Sequence, residues 1–320
     1  MTVRLTIHRD AWLAHVRQTA NAYGHGLVPV VKGNGYGFGR GVLHEVVRDH
    51  GAARVCVGNV HELHDVPLAS TPVVLTPTLA APTSTRPVLT VGHVQHIDAL
   101  AGWPGRVMVK LASSMQRYGV PPGELPALVA RARDAGLTID AFALHLPLAG
   151  DDQQRLAEID AWLPHLEPGV PVWVSHLSPA SFQSLRAQHP DREWGIRVGT
   201  ALWHGMPKGP FLQLSAEVVH TRPVHSGAVA GYRHVAVPIA GTLVAIAAGT
   251  AAGVTPLDHA DPAQRSPFHF ARRRLLLVEP PHMHTSLVVV PAGDPCPAIG
   301  DRVDVQRPLT STFADELVWA

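Results

Sequence analysis

The sequence is poor in several features that mark common classes of protein. Only two cysteines, Cys56 and Cys296, occur among 320 residues, so no disulfide framework is available and a reducing cytoplasm is expected. Lys and Arg total 26 against 25 Asp and Glu, without a long basic run, which argues against nucleic-acid binding. No signal peptide is visible, and the longest apolar run, residues 243–254, is too short and interrupted to span a bilayer. We therefore predict a cytoplasmic globular protein that binds neither nucleic acid nor membrane.

The chain does have a clear change of pattern near residue 210. Short apolar strands alternate with helical stretches before this point, which is typical of a parallel sheet and, at this length, of a (β/α)8 barrel. Afterwards helix signals nearly vanish, and alternating runs indicate a small, mostly antiparallel β domain. We predict an α/β fold with a barrel over residues 10–212 and a β domain over 213–320, with residues 1–9 a candidate addition to the β domain. The polar, proline-containing segment from Asp258 to Arg274 is predicted to be a mobile loop.

A lysine follows the first apolar run of the alternating region. Residues 27–31 are typical of a short buried strand, Lys32 comes at its carboxyl end, and a glycine-rich loop follows. Catalytic groups of barrels collect at the carboxyl ends of the strands, where a lysine could form a Schiff base with pyridoxal phosphate. The pattern also fits an ordinary solvated charge or a phosphate-binding turn. Lys32 therefore does not settle the function by itself.

The segment VVKGNGYGFGRG resembles the lysine motif of the alanine racemase family, which reads close to V-V-K-A-N-A-Y-G-H-G. The positions that match in register are Lys32, Asn34, Tyr36, Gly37 and Gly39. This resemblance implies that Lys32 carries pyridoxal phosphate and removes one α-proton of the substrate. It also implies that Tyr36 helps to hold the cofactor phosphate.

Two further segments resemble arginine motifs of the same family. In VMVKLASSMQRYGV, Arg117 matches the arginine that positions the substrate carboxylate. Lys110 matches the lysine that orients this arginine. In GIRVGTALWHG, Arg197 matches the arginine that hydrogen-bonds the pyridine nitrogen of the cofactor. Gly199 and Thr200 match the place where backbone N–H groups bind the phosphate. A guanidinium suits carboxylate recognition because its forked donors meet both oxygens.

Two histidine-containing segments match the family only in part. His145, in FALHLPLAGDD, stands where the family has a histidine that stacks on the cofactor ring. In SHLSPASF the phosphate-binding serine of the family is displaced. The resemblance leaves open whether Ser178 or Ser181 replaces it or whether it is lost.

The second half of the chain resembles the family around one tyrosine. Tyr232, in VAGYRHV, falls on the tyrosine that the family delivers across a dimer interface as the second proton-transfer group. Met283 matches the methionine of the family's M-D pair and is expected to contact the substrate. The family's G-Y-A-D-G has become Gly249-Thr250-Ala251-Ala252-Gly253, and the family's terminal segments are absent. These departures make free alanine a doubtful substrate.

The resemblance as a whole implies a pyridoxal-phosphate-dependent amino-acid racemase that works by two-base proton transfer in a homodimer with shared active sites. Its substrate would be an amino acid, whose identity the sequence leaves open. The 21 histidines show no clear metal-ligand spacing, so no metal site is predicted. The alternatives are another reaction of the same cofactor on this scaffold, namely decarboxylation, elimination or a retro-aldol step. A non-catalytic protein that binds pyridoxal phosphate is a third possibility.

Overall fold

The chain divides into two compact units in a computed structural model, which describes residues 3–320. The barrel unit comprises Ala14–Gly35 and Arg40–Pro207, and the β unit comprises the described residues up to Leu13 together with Tyr36–Gly39 and Lys208–Ala320. Met1 and Thr2, which belong to the segment predicted as an addition to the β domain, lie outside the described residues. Strand β1, Val3–Ile7, and helix α1, Arg9–Tyr23, begin the described chain. No helix in residues 3–320 has the length and apolar character needed to cross a membrane.

Eight parallel strands form the sheet of the barrel unit. In chain order they are β2 (Leu27–Pro29), β3 (Arg54–Val57), β4 (Thr71–Val74), β5 (Val88–Val91), β6 (Arg106–Lys110), β7 (Thr138–Ala143), β8 (Val172–Ser175) and β9 (Trp194–Val198). Their spatial order is β2-β9-β8-β7-β6-β5-β4-β3. A bridge between Val30 and Cys56, with a 2.7 Å bond from the Val31 N–H to the Cys56 carbonyl, joins the two outer strands. The predicted barrel is therefore confirmed.

Helices follow most strands of the barrel. They are α2 (Arg40–Asp49), α3 (Val94–Asp98), α4 (Leu125–Asp134), α5 (Asp152–Trp162), α6 (Pro179–Gln188) and α7 (Thr200–Trp203). Local sequence fixes where two of them begin, because side chains there satisfy the first free N–H groups of a helix. Asp151 and Gln154 form a reciprocal capping box at α5, and Ser178 caps α6 by accepting from the Ser181 N–H. The Ser178 hydroxyl, one candidate for phosphate binding, thus has a structural role as a cap.

The β unit contains a larger, mostly antiparallel sheet. Its remaining strands are β10 (Leu212–Val224), β11 (Val229–Ala230), β12 (Val235–Ala236), β13 (Gly241–Ile246), β14 (Phe268–Phe270), β15 (Arg273–Arg274), β16 (Leu276–Leu277), β17 (Ser286–Pro291), β18 (Arg302–Val305) and β19 (Glu316–Trp319). The main order is β15-β14-β18-β10-β13-β17-β16, and β1 adds an antiparallel pairing with β10 and a parallel pairing with β19. Strands β11 and β12 form a separate two-stranded hairpin. This agrees with the predicted fold class.

The segment from Asp258 to Arg274 is not a loop throughout, and the prediction was wrong for its second half. Strand β14 pairs there with β18, and β15 pairs with β14. Phe268 opens β14 and is fully buried. Strands of two or three residues are too short to show the alternation that identifies a strand in a sequence. The proline and charged residues around them therefore dominated the prediction.

Candidate active site

Most of the predicted site residues of the barrel unit lie at the carboxyl ends of its strands. Lys32 follows β2, His145 follows β7, and Arg197 is the penultimate residue of β9. Lys110 ends β6, and Arg117 lies in the loop after it. Parallel strands bring their carboxyl ends to one edge of a barrel, so segments far apart in sequence meet there.

The loop that carries Lys32 is held by a buried carboxylate. The N–H of Gly33 donates to Glu62 Oε1 at 3.0 Å, and the N–H of Gly58 donates to Oε2 at 2.7 Å. The guanidinium of Arg40 donates to the Gly33 carbonyl at 2.9 Å. Both backbone groups of Gly33 are therefore bound by side chains, which fixes the peptide directly after Lys32. Glu62 was not among the site residues predicted from the sequence, because contacts between two separate loops leave no local pattern.

Lys32 and Cys56, two nucleophilic side chains near the bridge that joins β2 to β3, differ in their protonation. Burial, followed by the positive charge of Arg117, lowers the pKa of Lys32, which increases its uncharged, nucleophilic fraction. Cys56 is fully buried, and this burial raises the pKa of its thiol to about 12 despite the nearby charges of Arg197 and Lys32. The environment thus activates the amine and keeps the thiol protonated.

Arg197 is a buried cation held by backbone carbonyls. Its Nη2 donates to the Leu144 carbonyl at 2.8 Å and its Nε to the Val174 carbonyl at 3.5 Å. The side chain therefore extends from β9 past β8 to the end of β7. Within residues 3–320 no carboxylate lies within ion-pair distance of it, although buried charges are normally paired. This position favours a ligand atom that accepts a hydrogen bond or carries negative charge.

His145 is a neutral ring that is hydrogen-bonded to Ser175. The N–H of Leu146 donates to Ser175 Oγ at 3.1 Å, and Ser175 Oγ lies 2.8 Å from His145 Nδ1. Ser175 therefore links the backbone after β7 to the imidazole ring and fixes the orientation of the ring. Burial, then the charge of Arg197, lowers the pKa of His145 to about 2. The ring is also packed against His176, with centroids 5.0 Å apart.

The loop after β6 presents Arg117 at the surface. Its guanidinium lies over the Tyr118 ring, 4.7 Å from the centroid, and its Nη2 donates to the Tyr118 hydroxyl at 3.3 Å. The loop bends sharply, with a left-handed φ of 49° at Gln116. A Cβ at Gly119 would stand 2.4 Å from the Leu111 carbonyl oxygen, so only glycine fits this turn. The exposed guanidinium is thus held by an aromatic side chain and not by a carboxylate.

The predicted phosphate-binding residues lie on two different segments. Gly199 is the N-cap of α7, and Thr200 is the first residue of that helix. Tyr36 is buried and has a left-handed φ of 56°, and it belongs to the β unit. His176, after β8, has a φ of 63°. Left-handed conformations of residues other than glycine cost energy and concentrate at functional sites, and here they follow β2, β6 and β8.

The remaining predicted residues belong to the β unit. Tyr232 lies in the turn between β11 and β12, and its side chain is 85% exposed. Met283 is 66% exposed and directly follows His282, whose ring lies 4.3 Å from that of Tyr232. The structure therefore brings Tyr232 close to the segment that carries Met283. No group of three or more His, Cys, Asp or Glu residues within the described chain could hold a metal ion.

Comparison with known proteins agrees with this geometry. Residues 7–207 match the family described as alanine racemase, N-terminal domain. The chain belongs to this family. It is 28% identical over 249 residues to an alanine racemase of Jannaschia sp. (strain CCS1), covering 72% of this chain and 70% of that protein. It is also 28% identical over 274 residues to an alanine racemase of Cereibacter sphaeroides, covering 79% and 76% of the two chains.

Solved alanine racemases have the same fold as the chain. The enzyme from Bartonella henselae, described with covalently bound pyridoxal phosphate, superimposes with a TM-score of 0.75 at 19% identity over 100% of both chains. The enzyme from Bacillus anthracis, described with bound L-Ala-P, gives a TM-score of 0.73 at 21% identity over 99% and 87% of the two chains. Together with the family match, these structures confirm the family resemblance and the fold class expected from the sequence.

Of the two lysines in the candidate site, Lys110 has the more strongly lowered pKa. Its side chain is buried, and Nζ donates to the Ala143 carbonyl at 3.4 Å. Burial, then the charges of Arg197 and Arg117, lowers its pKa from 10.5 to about 6. Near neutral pH the folded chain therefore holds this lysine uncharged, whereas the unfolded chain holds it charged.

This difference predicts that the unfolding free energy rises with pH between about 6 and about 10.5. The unfolded state binds one more proton at Lys110 in this window, so Lys110 contributes a slope of up to about 1.4 kcal/mol per pH unit. The variant Lys110→Met keeps the length of the side chain without the titrating group and should lose this contribution. Urea unfolding of both proteins without added cofactor, at several values between pH 7 and pH 9, measures the two slopes. Equal slopes would show that Lys110 is charged in the folded state.

Proposed function

We propose that this chain is a pyridoxal-phosphate-dependent amino-acid racemase of the alanine racemase type, which interconverts L- and D-amino acids. The observation that carries the proposal is the buried Arg197 guanidinium, which has no carboxylate partner among residues 3–320 and affects the pKa of Lys32 at the same end of the barrel. A reactive amine beside an uncompensated cation suits an anionic carbonyl ligand. Membership of the alanine racemase family supports the same conclusion.

The residues at this end of the barrel fit pyridoxal phosphate. Lys32 would hold it through the amine, Arg197 would donate to its pyridine nitrogen, and the N–H groups of Gly199 and Thr200 would bind its phosphate. The family resemblance assigns Tyr36, four residues after Lys32 in the sequence, to the same phosphate. The Lys and Arg side chains at this end of the barrel are positively charged groups that suit the negative charge of the cofactor phosphate. His145, which is predicted to stack on the ring of the cofactor, is half-buried and neutral. When bound, the cofactor withdraws electrons from the α-carbon of an amino acid and stabilises the negative charge left by a departing proton.

Two residues of the chain would transfer the α-proton of the substrate on opposite faces of its α-carbon. Lys32 Nζ would remove or return the α-proton on one face of the α-carbon, and its lowered pKa supports this role because it increases the uncharged fraction of the amine. The Tyr232 hydroxyl from a second copy of the chain does so on the opposite face. The exposure of Tyr232 supports this role, because a side chain that acts in another subunit must extend from its own. We therefore propose a homodimer with shared active sites.

Substrate recognition would depend on Arg117 and Met283. The exposed guanidinium of Arg117, supported by Tyr118, can meet both oxygens of the substrate carboxylate. Met283 would contact the substrate side chain. The sequence from Gly249 to Gly253 departs from the family's G-Y-A-D-G, so we propose an amino acid other than alanine as the preferred substrate.

The proposal predicts that the protein exchanges the α-proton of at least one amino acid with solvent and forms its mirror image. Each L-amino acid is incubated in D2O with the purified protein and pyridoxal phosphate. Deuterium incorporation is measured by mass spectrometry and enantiomer composition by chiral chromatography. Exchange together with inversion supports a racemase. Release of carbon dioxide, ammonia or an aldehyde would instead indicate decarboxylation, elimination or a retro-aldol step, and cofactor binding without exchange would indicate a non-catalytic protein.

A further inference from the structure

The turn that carries Tyr232 has little regular structure to hold it. It joins β11 and β12, which pair through only two residues each. Apolar contacts anchor the base of the hairpin: Ala230 and Val237 are buried in a cluster with Leu243, Val278 and Val289. Hydrophobic packing is not directional and does not by itself orient a side chain beyond the cluster. The conformation of the turn needs a more specific cause.

That cause is the buried side chain of Glu279. Its Oε1 accepts from the Tyr232 N–H at 3.0 Å, and its Oε2 accepts from the Arg233 N–H at 3.1 Å. The side chain is only 1% exposed. Gly231 has a φ of 76°, and a Cβ there would stand 1.6 Å from Glu279 Oε1. The carboxylate of Glu279 can therefore reach the turn only because position 231 is a glycine.

The charge of Glu279 is maintained by its hydrogen bonds. Burial alone would raise the pKa of this carboxyl, but the donors from Arg233, His282 and Tyr232 outweigh it, and its pKa is lowered. A carboxylate that accepts several hydrogen bonds in a buried site is strongly held in one orientation. It can therefore act as a fixed point for the turn.

His282 links Glu279 to the phenol ring of Tyr232. Its Nε2 is hydrogen-bonded to Glu279 Oε1, which sets the orientation of the imidazole. The imidazole in turn packs against the Tyr232 ring, with centroids 4.3 Å apart and planes inclined by 39°. Glu279 thus acts on Tyr232 in two ways, through the backbone N–H and through the ring of His282. The phenol remains 85% exposed but is supported on one side.

We infer that Glu279 and His282 are positioning residues that orient Tyr232 for proton transfer. The inference rests on the proposed function, in which Tyr232 is the second base. Glu279 does not touch the reacting atoms and acts only through the turn and the imidazole ring. Neither residue was assigned a role by the sequence motifs. A displacement of a catalytic group by about 1 Å can reduce a rate by about 10²-fold, so loss of this support should be measurable.

The test compares Glu279→Gln and His282→Ala with the unchanged protein by two measurements. The first is the rate of α-proton exchange for each enantiomer of the substrate. The enantiomer whose exchange collapses in Tyr232→Phe should lose about 10²-fold in Glu279→Gln, whereas the other should keep its rate. A general loss of structure would lower both rates together. His282→Phe retains an aromatic ring under the phenol and should recover part of the loss seen in His282→Ala.

The second measurement needs neither cofactor nor substrate. The chain has four tyrosines, so protein labelled with fluorotyrosine should give few fluorine NMR signals, and Tyr232→Phe identifies the signal of residue 232. This signal should shift in Glu279→Gln and His282→Ala while the other three stay in place. Glu316→Gln is the matched control, because Glu316 pairs with Arg4 at 2.9 Å in the same unit and does not contact the turn. Its signals and exchange rates should match those of the unchanged protein.

The outcomes separate the inference from the proposed function. If Tyr232→Phe leaves racemisation intact, Tyr232 is not the second base and the proposed mechanism fails. If Tyr232→Phe blocks interconversion but Glu279→Gln and His282→Ala change neither the fluorine signal nor the exchange ratio, only the positioning inference is wrong. If a substitution prevents folding, the remaining Glu279 and His282 variants decide the inference by the same two criteria.

Discussion

Replacing Lys32 by alanine is expected to abolish both turnover and covalent retention of pyridoxal phosphate. The change removes the amine that would hold the cofactor and the base on one face of the substrate. Loss of a general base alone reduces rates by about 10²–10⁴-fold, and loss of the covalent attachment adds to this. Borohydride treatment of the unchanged protein with cofactor, followed by peptide mapping, should find a pyridoxyl group on the peptide that contains Lys32.

This labelling experiment has few competing sites. The sequence contains three lysines, and those other than Lys32 are Lys110 and Lys208. Lys208→Ala is the suitable control, since Lys208 belongs to the β unit and has no proposed part in the site. It should leave labelling and turnover unchanged. A pyridoxyl group on Lys110 or Lys208 would overturn the assignment of Lys32.

Replacing Tyr232 by phenylalanine is expected to stop interconversion while leaving α-proton exchange of one enantiomer. The phenol hydroxyl is lost, but Lys32 and the residues proposed to hold the cofactor are untouched. Exchange on the Lys32 face should therefore continue, and exchange on the other face should fall by about 10²–10⁴-fold. Chiral chromatography and deuterium incorporation, measured from each pure enantiomer, test the two faces separately. Full racemisation in both directions would place the second base elsewhere.

The same variant tests whether the site is shared between subunits. Mixing Lys32→Ala with Tyr232→Phe protein should restore activity, because one site of each mixed dimer would then combine an intact Lys32 with an intact Tyr232. In an equal mixture with free exchange in a two-fold symmetric dimer, roughly a quarter of all sites would be intact. Subunit exchange is followed independently with differently tagged chains. An inactive mixture of fully exchanged subunits would show that the site is not shared.

The barrel could be predicted because its determinants are local. Short runs of buried apolar residues, such as Val107–Val109 in β6, mark strands that are covered on both faces. Lys32 and Arg197 could be placed at one edge because both lie at the carboxyl end of a parallel strand. Strand β14 could not be predicted, because it pairs with β18, which is remote in sequence. Strand β15 could not be predicted, because it pairs with β14 through only two of its own residues.

The supporting residues of the candidate site could not be predicted for the same reason. Glu62 binds the N–H of Gly33, and Glu279 binds the N–H of Tyr232 from 47 positions away. A carboxylate that accepts from backbone groups leaves no motif, since any residue can supply the donor. Only the structure shows that these two acids are buried and directed at the turns that carry the proposed bases. Sequence motifs thus identify the reactive side chains more readily than the residues that hold them.

The protonated thiol of Cys56, where β2 meets β3, has a consequence for chemical selectivity. An aldehyde reacts reversibly with thiolates as well as with amines, so a cysteine near an aldehyde-binding lysine can compete with it for the aldehyde. Cys56 carries its sulfur next to the charges of Lys32 and Arg197, which on their own would favour the reactive thiolate. Burial prevents this by holding the thiol pKa at about 12. An aldehyde that enters this end of the barrel therefore meets an amine whose pKa is lowered and a thiol that stays protonated.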